Sequence, residues 1–106
     1  MTKDEELDLI QRVLAGGSGS YETLVLAHQK SVYNLCLRML GNEQDALDAS
    51  QEAFFRAWRS LASFRGDSRF SVWLYRLASN VCLDQLRRLS SAAELSMTDE
   101  DGGILD

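Results

Sequence analysis

The chain of 106 residues contains no proline, two cysteines and a single histidine. Without proline nothing in the covalent backbone forces a helix to kink, so helix ends must be set by glycine and by capping side chains. Cys36 and Cys82 stand far apart, and with His28 they supply neither the number nor the spacing of ligands that a zinc site uses. No metal and no cofactor is expected. The two thiols read as free, in a reduced, cytoplasmic protein. No apolar run approaches the ~20 residues that a membrane span requires, and no signal-peptide pattern is present, so membrane insertion is not expected. One histidine, no carboxylate pair beside a nucleophile and no glycine-rich phosphate loop argue against an enzyme.

What is present favours helices. Apolar residues make up 45% and charged residues 25%, ordinary for a soluble globular domain, and the length suits one core. Ala, Leu, Arg, Glu and Gln are plentiful, and no alternating strand pattern or internal repeat is visible. The net charge of −5 is unevenly spread. Residues 61–90 carry five arginines against Asp67 and Asp84, whereas residues 91–106 carry Glu94, Asp99, Glu100, Asp101 and Asp106 and no base. A basic segment inside an acidic chain matters more than the total, because phosphate attraction decays over roughly 8–10 Å in salt.

Four helices are predicted. The first runs from about Asp4 to Ala15, with Leu7, Ile10, Val13 and Leu14 on one face, and the Gly16–Ser20 stretch breaks it. Ser18 or Ser20 can cap the second, from about Tyr21 to Leu40, whose stripe is Leu24, Val25, His28, Val32, Leu35, Cys36, Met39 and Leu40. Gly41 suits a left-handed helix end, and Asn42 can cap a third helix that runs to about Ala62. Residues 64–68 form a loop in which Asp67 or Ser68 caps the fourth helix, from about Arg69 to Leu89. Its core stripe is Phe70, Trp73, Leu74, Leu77, Ala78, Val81 and Leu86. Residues 1–90 thus read as a compact all-α bundle of four helices, and 91–106 as a flexible acidic linker or tail.

Two surfaces carry chemistry. At about 100° per residue, Arg69, Arg76, Asn80 and Arg87 fall within about 20° of one line along the fourth helix, with Trp73 at the border of the core. Guanidinium forks suit phosphate, an Asn amide suits a base edge, and Phe64 and Trp73 offer rings for stacking on exposed bases. On the third helix an acidic and polar edge, Asp45, Asp48, Gln51 and Glu52, leads into Phe55 and Trp58, large aromatics that one helix cannot all bury. Such a face suits docking on a basic protein partner. The plain alternative for both surfaces is a solvated helix face, and the alternative function is a helical protein-interaction adaptor without DNA binding.

Taken together these segments resemble a known family. The run Asp45-Ala-Leu-Asp48-Ala-Ser-Gln51-Glu52-Ala-Phe-Phe-Arg-Ala-Trp58, ending in Phe64-Arg65-Gly66, and the run Phe70-Ser-Val-Trp73-Leu74-Tyr75-Arg76-Leu-Ala78-Ser-Asn80, followed by Asp84-Gln-Leu-Arg87-Arg88, resemble conserved region two of the extracytoplasmic-function (ECF) sigma factors of bacterial RNA polymerase. The resemblance spans roughly residues 5–90. It implies a transcription-initiation domain with two partners. Asp45, Asp48, Gln51, Glu52 and Phe55 would dock on the β′ clamp helices of core RNA polymerase. Phe64, Arg65, Ser68, Arg69, Trp73, Arg76 and Asn80 would read the non-template strand of the minus-ten promoter element, holding one extruded base, with Arg87 and Arg88 on phosphates. An anti-sigma protein is a further partner that the resemblance implies. Members of this family also carry a second helical domain, region four, which has no counterpart in this sequence.

Overall fold

The computed structural model describes residues 1–17 and 19–100, with residues 92–100 as backbone only. Four helices follow one another: α1 (Lys3–Leu14), α2 (Ser20–Leu40), α3 (Glu43–Ser60) and α4 (Phe70–Glu100), with a 3-10 turn at Leu61–Ser63. Among the described residues there is no strand, as expected.

Local chemistry sets most of the ends. Thr2 and Glu5 form a reciprocal capping box on α1, each side chain bonding the other's backbone N–H at 3.2 and 2.8 Å. Gly41 takes φ 72° and donates its N–H to the Leu37 carbonyl, closing α2 in the left-handed region that favours glycine. Asn42 then caps α3, its side-chain oxygen accepting from the Asp45 N–H at 2.9 Å. Three expectations are corrected. Gly19 occupies the cap position of α2 with no side-chain bond; Ser20 is already helical, and Ser18 lies outside the described residues. Neither Asp67 nor Ser68 caps α4: the Ser68 hydroxyl donates to the Arg69 carbonyl instead. And α4 continues past Leu89 to Glu100, because Ala92, Ala93, Glu94 and Leu95 are strong helix formers that sustain it without an amphipathic stripe. Residues 101–106 lie outside the described residues.

The core lies between α2, α3 and α4. The buried side chains of α3 are all small, Ala46, Ala49, Ser50, Ala53 and Ala57, with Phe54 half-buried at the margin. That seam lets the neighbouring helices approach closely, and they fill the space with Leu24, Val32 and Cys36 from α2 and Phe70, Leu74, Ala78, Val81 and Cys82 from α4. α1 adds Ile10 and Val13. The expected stripe holds except at its margins, where Leu14 and Leu86 are exposed.

Cys36 and Cys82 meet inside this core, and both are fully buried. Burial pushes the Cys36 thiol up to about 12, with the neighbouring Cys82 adding to the rise, and burial raises Cys82 as well. Burial also pushes Tyr21, whose hydroxyl donates to the Phe54 carbonyl, up to about 12. All three groups are neutral when protonated, and unfolding returns them to lower values. Their contribution to stability is therefore complete below the ordinary thiol value of 9.0 and declines as pH rises towards 12. Urea titrations should give a constant midpoint near neutral pH and a falling one above pH ~9. A thiol reagent should label neither cysteine in the native protein and both after unfolding; rapid labelling of the native chain would contradict this burial.

Candidate nucleic-acid interface

The outward edge of α4 follows from its inward one. With Phe70, Leu74, Ala78, Val81 and Cys82 buried, positions 76, 80 and 87 must face solvent, and Arg76, Asn80 and Arg87 are exposed there. Neither Arg76 nor Asn80 has a side-chain partner among the described residues. Arg87 and Arg88 are exposed about two turns further on, and Arg87 Nη1 bonds Asp84 Oδ1 at 3.1 Å. Val72 and Leu83 also surface within this edge. Sequence reasoning missed both; their positions, four before Arg76 and three after Asn80, were the available signal.

The loop ahead of α4 carries the aromatic part. Phe64 closes the 3-10 turn through its N–H on the Leu61 carbonyl at 3.0 Å. Its half-buried ring stands edge-on to Phe70, centroids 5.8 Å apart, and 5.4 Å from Trp73, which is itself half-buried. Phe64 and Trp73 therefore belong to the margin of the core and leave part of each ring accessible. Gly66 takes φ 79°, and a Cβ there would come within 3.2 Å of Leu7 Cδ2 on α1. Arg65 and Asp67 are exposed and Ser68 is half-buried.

Arg69 stands apart from the expected set. Its Nε and Nη2 lie 3.3 Å from the two carboxylate oxygens of Glu6, and Nη2 donates to the Met1 carbonyl at 2.9 Å. Glu6 is only 2% exposed, and its Oε2 also accepts the Phe70 N–H at 2.8 Å. Burial pushes this carboxyl upward, but the bonds from Arg69 and Phe70, with the Arg69 charge, outweigh it and hold it below its ordinary value. Arg69 is thus engaged within the fold first. Sequence reasoning missed Glu6, because helix patterning shows which face an acid occupies and not which distant helix end needs it.

On α3, Asp48, Gln51 and Phe55 are exposed, and Asp45 and Glu52 are half-buried, on the side away from the alanine seam. The structure brings these five together along one helix face. Glu52 pairs with Arg56 at 2.8 Å, Asp48 accepts from Gln44 at 3.1 Å, and the Arg59 guanidinium sits 4.6 Å over the Phe55 ring. Arg56 also reaches Asp84 at 3.3 Å, so a chain of charges joins this strip to the α4 edge at Arg87. Beside the strip an apolar groove of about 600 Å³ runs between α2 and α3, lined by Val25, Leu26, Tyr33, Leu47 and Phe54 among others. Leu26 is 65% exposed and Trp58 54%. Leu26 and Leu47 were not among the expected residues.

A helical bundle that offers an unpaired Arg and Asn edge beside a ring-lined loop, and an acidic, partly apolar strip on the next helix, has the features of a nucleic-acid-binding module with a protein-docking face. Comparison with known proteins makes the class specific. The family model described as Sigma-70 region 2 matches residues 24–92, and the chain belongs to that family. It is similar to the RNA polymerase sigma-H factor of Pseudomonas aeruginosa, 40% identical over 86 residues, covering 81% of this chain and 45% of that protein. It is likewise similar to the ECF RNA polymerase sigma factor SigW of Bacillus subtilis (40% over 79 residues, 74% of this chain and 42% of that one) and to the ECF RNA polymerase sigma-E factor of Escherichia coli (42% over 78 residues, 74% and 40%). The chain thus spans less than half the length of these relatives. Among solved structures it resembles an engineered region 2 of sigmaE in complex with GTAAAA, with a TM-score of 0.77 and 34% identity, covering 89% of this chain and 95% of that one. The expected ECF sigma region two fold is met.

No described helix is long and apolar enough to cross a membrane.

Proposed function

We propose that this chain is the promoter-opening domain of an ECF sigma factor, acting in the cytoplasm as a binding module and not as an enzyme. The observation that carries the reading is the exposed Arg76–Asn80–Arg87 edge running towards the Phe64 loop and the Trp73 ring, in a chain of this family. The engineered region 2 of sigmaE that shares this fold is in complex with GTAAAA. Residues 1–90 form the working unit, and residues 91–106 the linker that follows it. Phe64, Arg65 and Ser68, with Trp73, receive one base of the non-template strand of the minus-ten element. Asn80 reads a base edge, and Arg76, Arg87 and Arg88 hold phosphates. Opening needs no ATP if the melted strand binds better than the duplex by the unstacking cost of a few kcal/mol, which one base pocket and a few phosphate contacts can supply.

Asp48, Gln51, Glu52 and Phe55, with Asp45, dock on the β′ clamp helices of core RNA polymerase, and the groove along Leu26 and Leu47 widens that face. An anti-sigma protein would act by covering either surface. A helical adaptor without DNA binding would explain the groove and leave the α4 edge without a role; a salt-dependent DNA titration separates the two readings.

Charge reversal at Asp48 and Glu52 should abolish binding to core polymerase with helical content unchanged, since both lie outside the buried seam. Unchanged affinity in a pull-down would remove the docking assignment. On α4, Asn80→Ala should relax preference at one or two bases, costing about 1–3 kcal/mol of discrimination. Arg87→Ala should instead weaken all promoters alike and lower the salt slope by about one unit. Identical behaviour of the two variants would refute the division into base and phosphate readers. The domain should also bind single-stranded non-template DNA more tightly than the matching duplex, with one base dominating. A mismatch at that base should recover part of the duplex affinity. Equal affinity for both strand states, with no dominant position, would overturn base capture.

A further inference from the structure

The helix that precedes the family-matched segment touches the reading face at three points. The Phe70 N–H, first of the orphan donors of α4, is capped by Glu6 from 64 residues away, with an N···Oε2 distance of 2.8 Å. Arg69 is held by both oxygens of the same carboxylate, at 3.3 Å each. Four residues before Phe70 in the loop, Gly66 rests on Leu7, the residue after Glu6. The Glu6 carboxylate is almost completely buried, so this is a fixed contact inside the protein, where an anion at a helix N-terminus is also favoured by the dipole.

We propose that α1 is a working part of the promoter-reading face, with Glu6 as a positioning residue that sets which base the loop prefers. This rests on the function proposed above. Glu6 touches no DNA-facing ring directly. It fixes Phe70, and Phe70 is the ring against which Phe64 and Trp73 are both set, at 5.8 and 5.6 Å between centroids. The setting of the Phe64 and Trp73 rings, 5.4 Å apart between centroids, therefore follows the seat of Phe70. Leu7 fixes the loop's other end at Gly66, the only described loop residue at positive φ between α3 and α4. Glu6 also neutralises Arg69. A guanidinium released there would lie beside the loop as a phosphate hook that attracts any strand, adding affinity without selectivity. The acid thus favours selectivity in two ways: it seats the rings and it keeps an indiscriminate charge occupied.

The test uses the full chain and a pool of random single-stranded hexanucleotides, with the bound fraction sequenced and total affinity measured at several salt concentrations. Three variants are compared with the wild type: Glu6→Gln, which keeps size and an acceptor for Phe70; Glu6→Ala, which removes both contacts; and Leu7→Ala, which removes only the seat of Gly66. Melting curves set a temperature at which each is folded. Glu6→Ala should reduce the preference at the dominant base by about tenfold, the size of one well-made base contact, while the salt slope steepens by about one unit as Arg69 is released. Glu6→Gln should steepen the slope with a smaller loss of preference. Leu7→Ala should lose preference with the slope unchanged. Adding Arg69→Ala to Glu6→Ala should return the slope to its wild-type value without restoring preference. If Glu6→Ala does not fold, Glu6→Gln and Leu7→Ala carry the test. Wild-type preference and slope in the folded variants, with only the melting temperature lowered, would show a purely structural contact and overturn the proposal. A wild type with no base preference would instead overturn the proposed function itself, so the two failures are distinct.

Discussion

A buried carboxylate joins the two ends of this domain. Glu6 accepts from the Phe70 N–H and from Arg69, and through them α1 is tied to the start of α4 across 64 residues of sequence. Glu6 is buried while Arg69 keeps 46% of its side chain exposed, so losing the acid frees Arg69 to solvent but leaves the Phe70 N–H without its cap. The contact also decides geometry. α4 carries most of the candidate DNA-facing residues, and its first turn has no cap from its own loop. Where that turn sits, and hence where the Phe64–Phe70–Trp73 rings sit, depends on an acid supplied from outside the loop.

The alanine seam of α3 complements this tie. Because α3 buries only small side chains, it lies close to both α2 and α4 and turns its large residues, Phe55 and Trp58, outward. One helix thus supplies the bundle's close packing and a surface rich in acid and aromatic groups. The ion pairs Glu52–Arg56–Asp84–Arg87 run from that surface to the α4 edge. Being largely solvated, such pairs add little stability. Their effect lies in orienting side chains, since Asp84 fixes one nitrogen of the exposed Arg87 guanidinium at 3.1 Å.

Helix number, order and core were legible in the sequence, because periodic apolar residues and the Gly41–Asn42 boundary state local physics directly. The exposed α4 edge was legible for the same reason: once Phe70, Leu74 and Val81 are assigned inward, Arg76, Asn80 and Arg87 have one direction left. What was not legible is long-range or marginal. No local signal says that Glu6 caps a helix 64 residues later, so Ser68 and Asp67 were the natural choices for a role that neither fills. Arg69 was grouped with its neighbours by angle alone, although a buried acid already engages it. Leu26 and Leu47 look like core by composition, and only the packing of α2 on α3 leaves them lining a groove. Helix continuation beyond Ser90 depends on propensity without an amphipathic stripe, so patterning could not see it.

The proposed reading face is defined by where a single strand touches the domain. Amide chemical shifts of the isotopically labelled chain, followed during titration with a single-stranded oligonucleotide, locate that contact directly. The largest changes should fall on residues 64–70 and around Trp73, Arg76 and Asn80, with α3 residues from Asp45 to Phe55 almost unmoved. Changes centred on the α2–α3 groove, with the loop and α4 silent, would contradict the account.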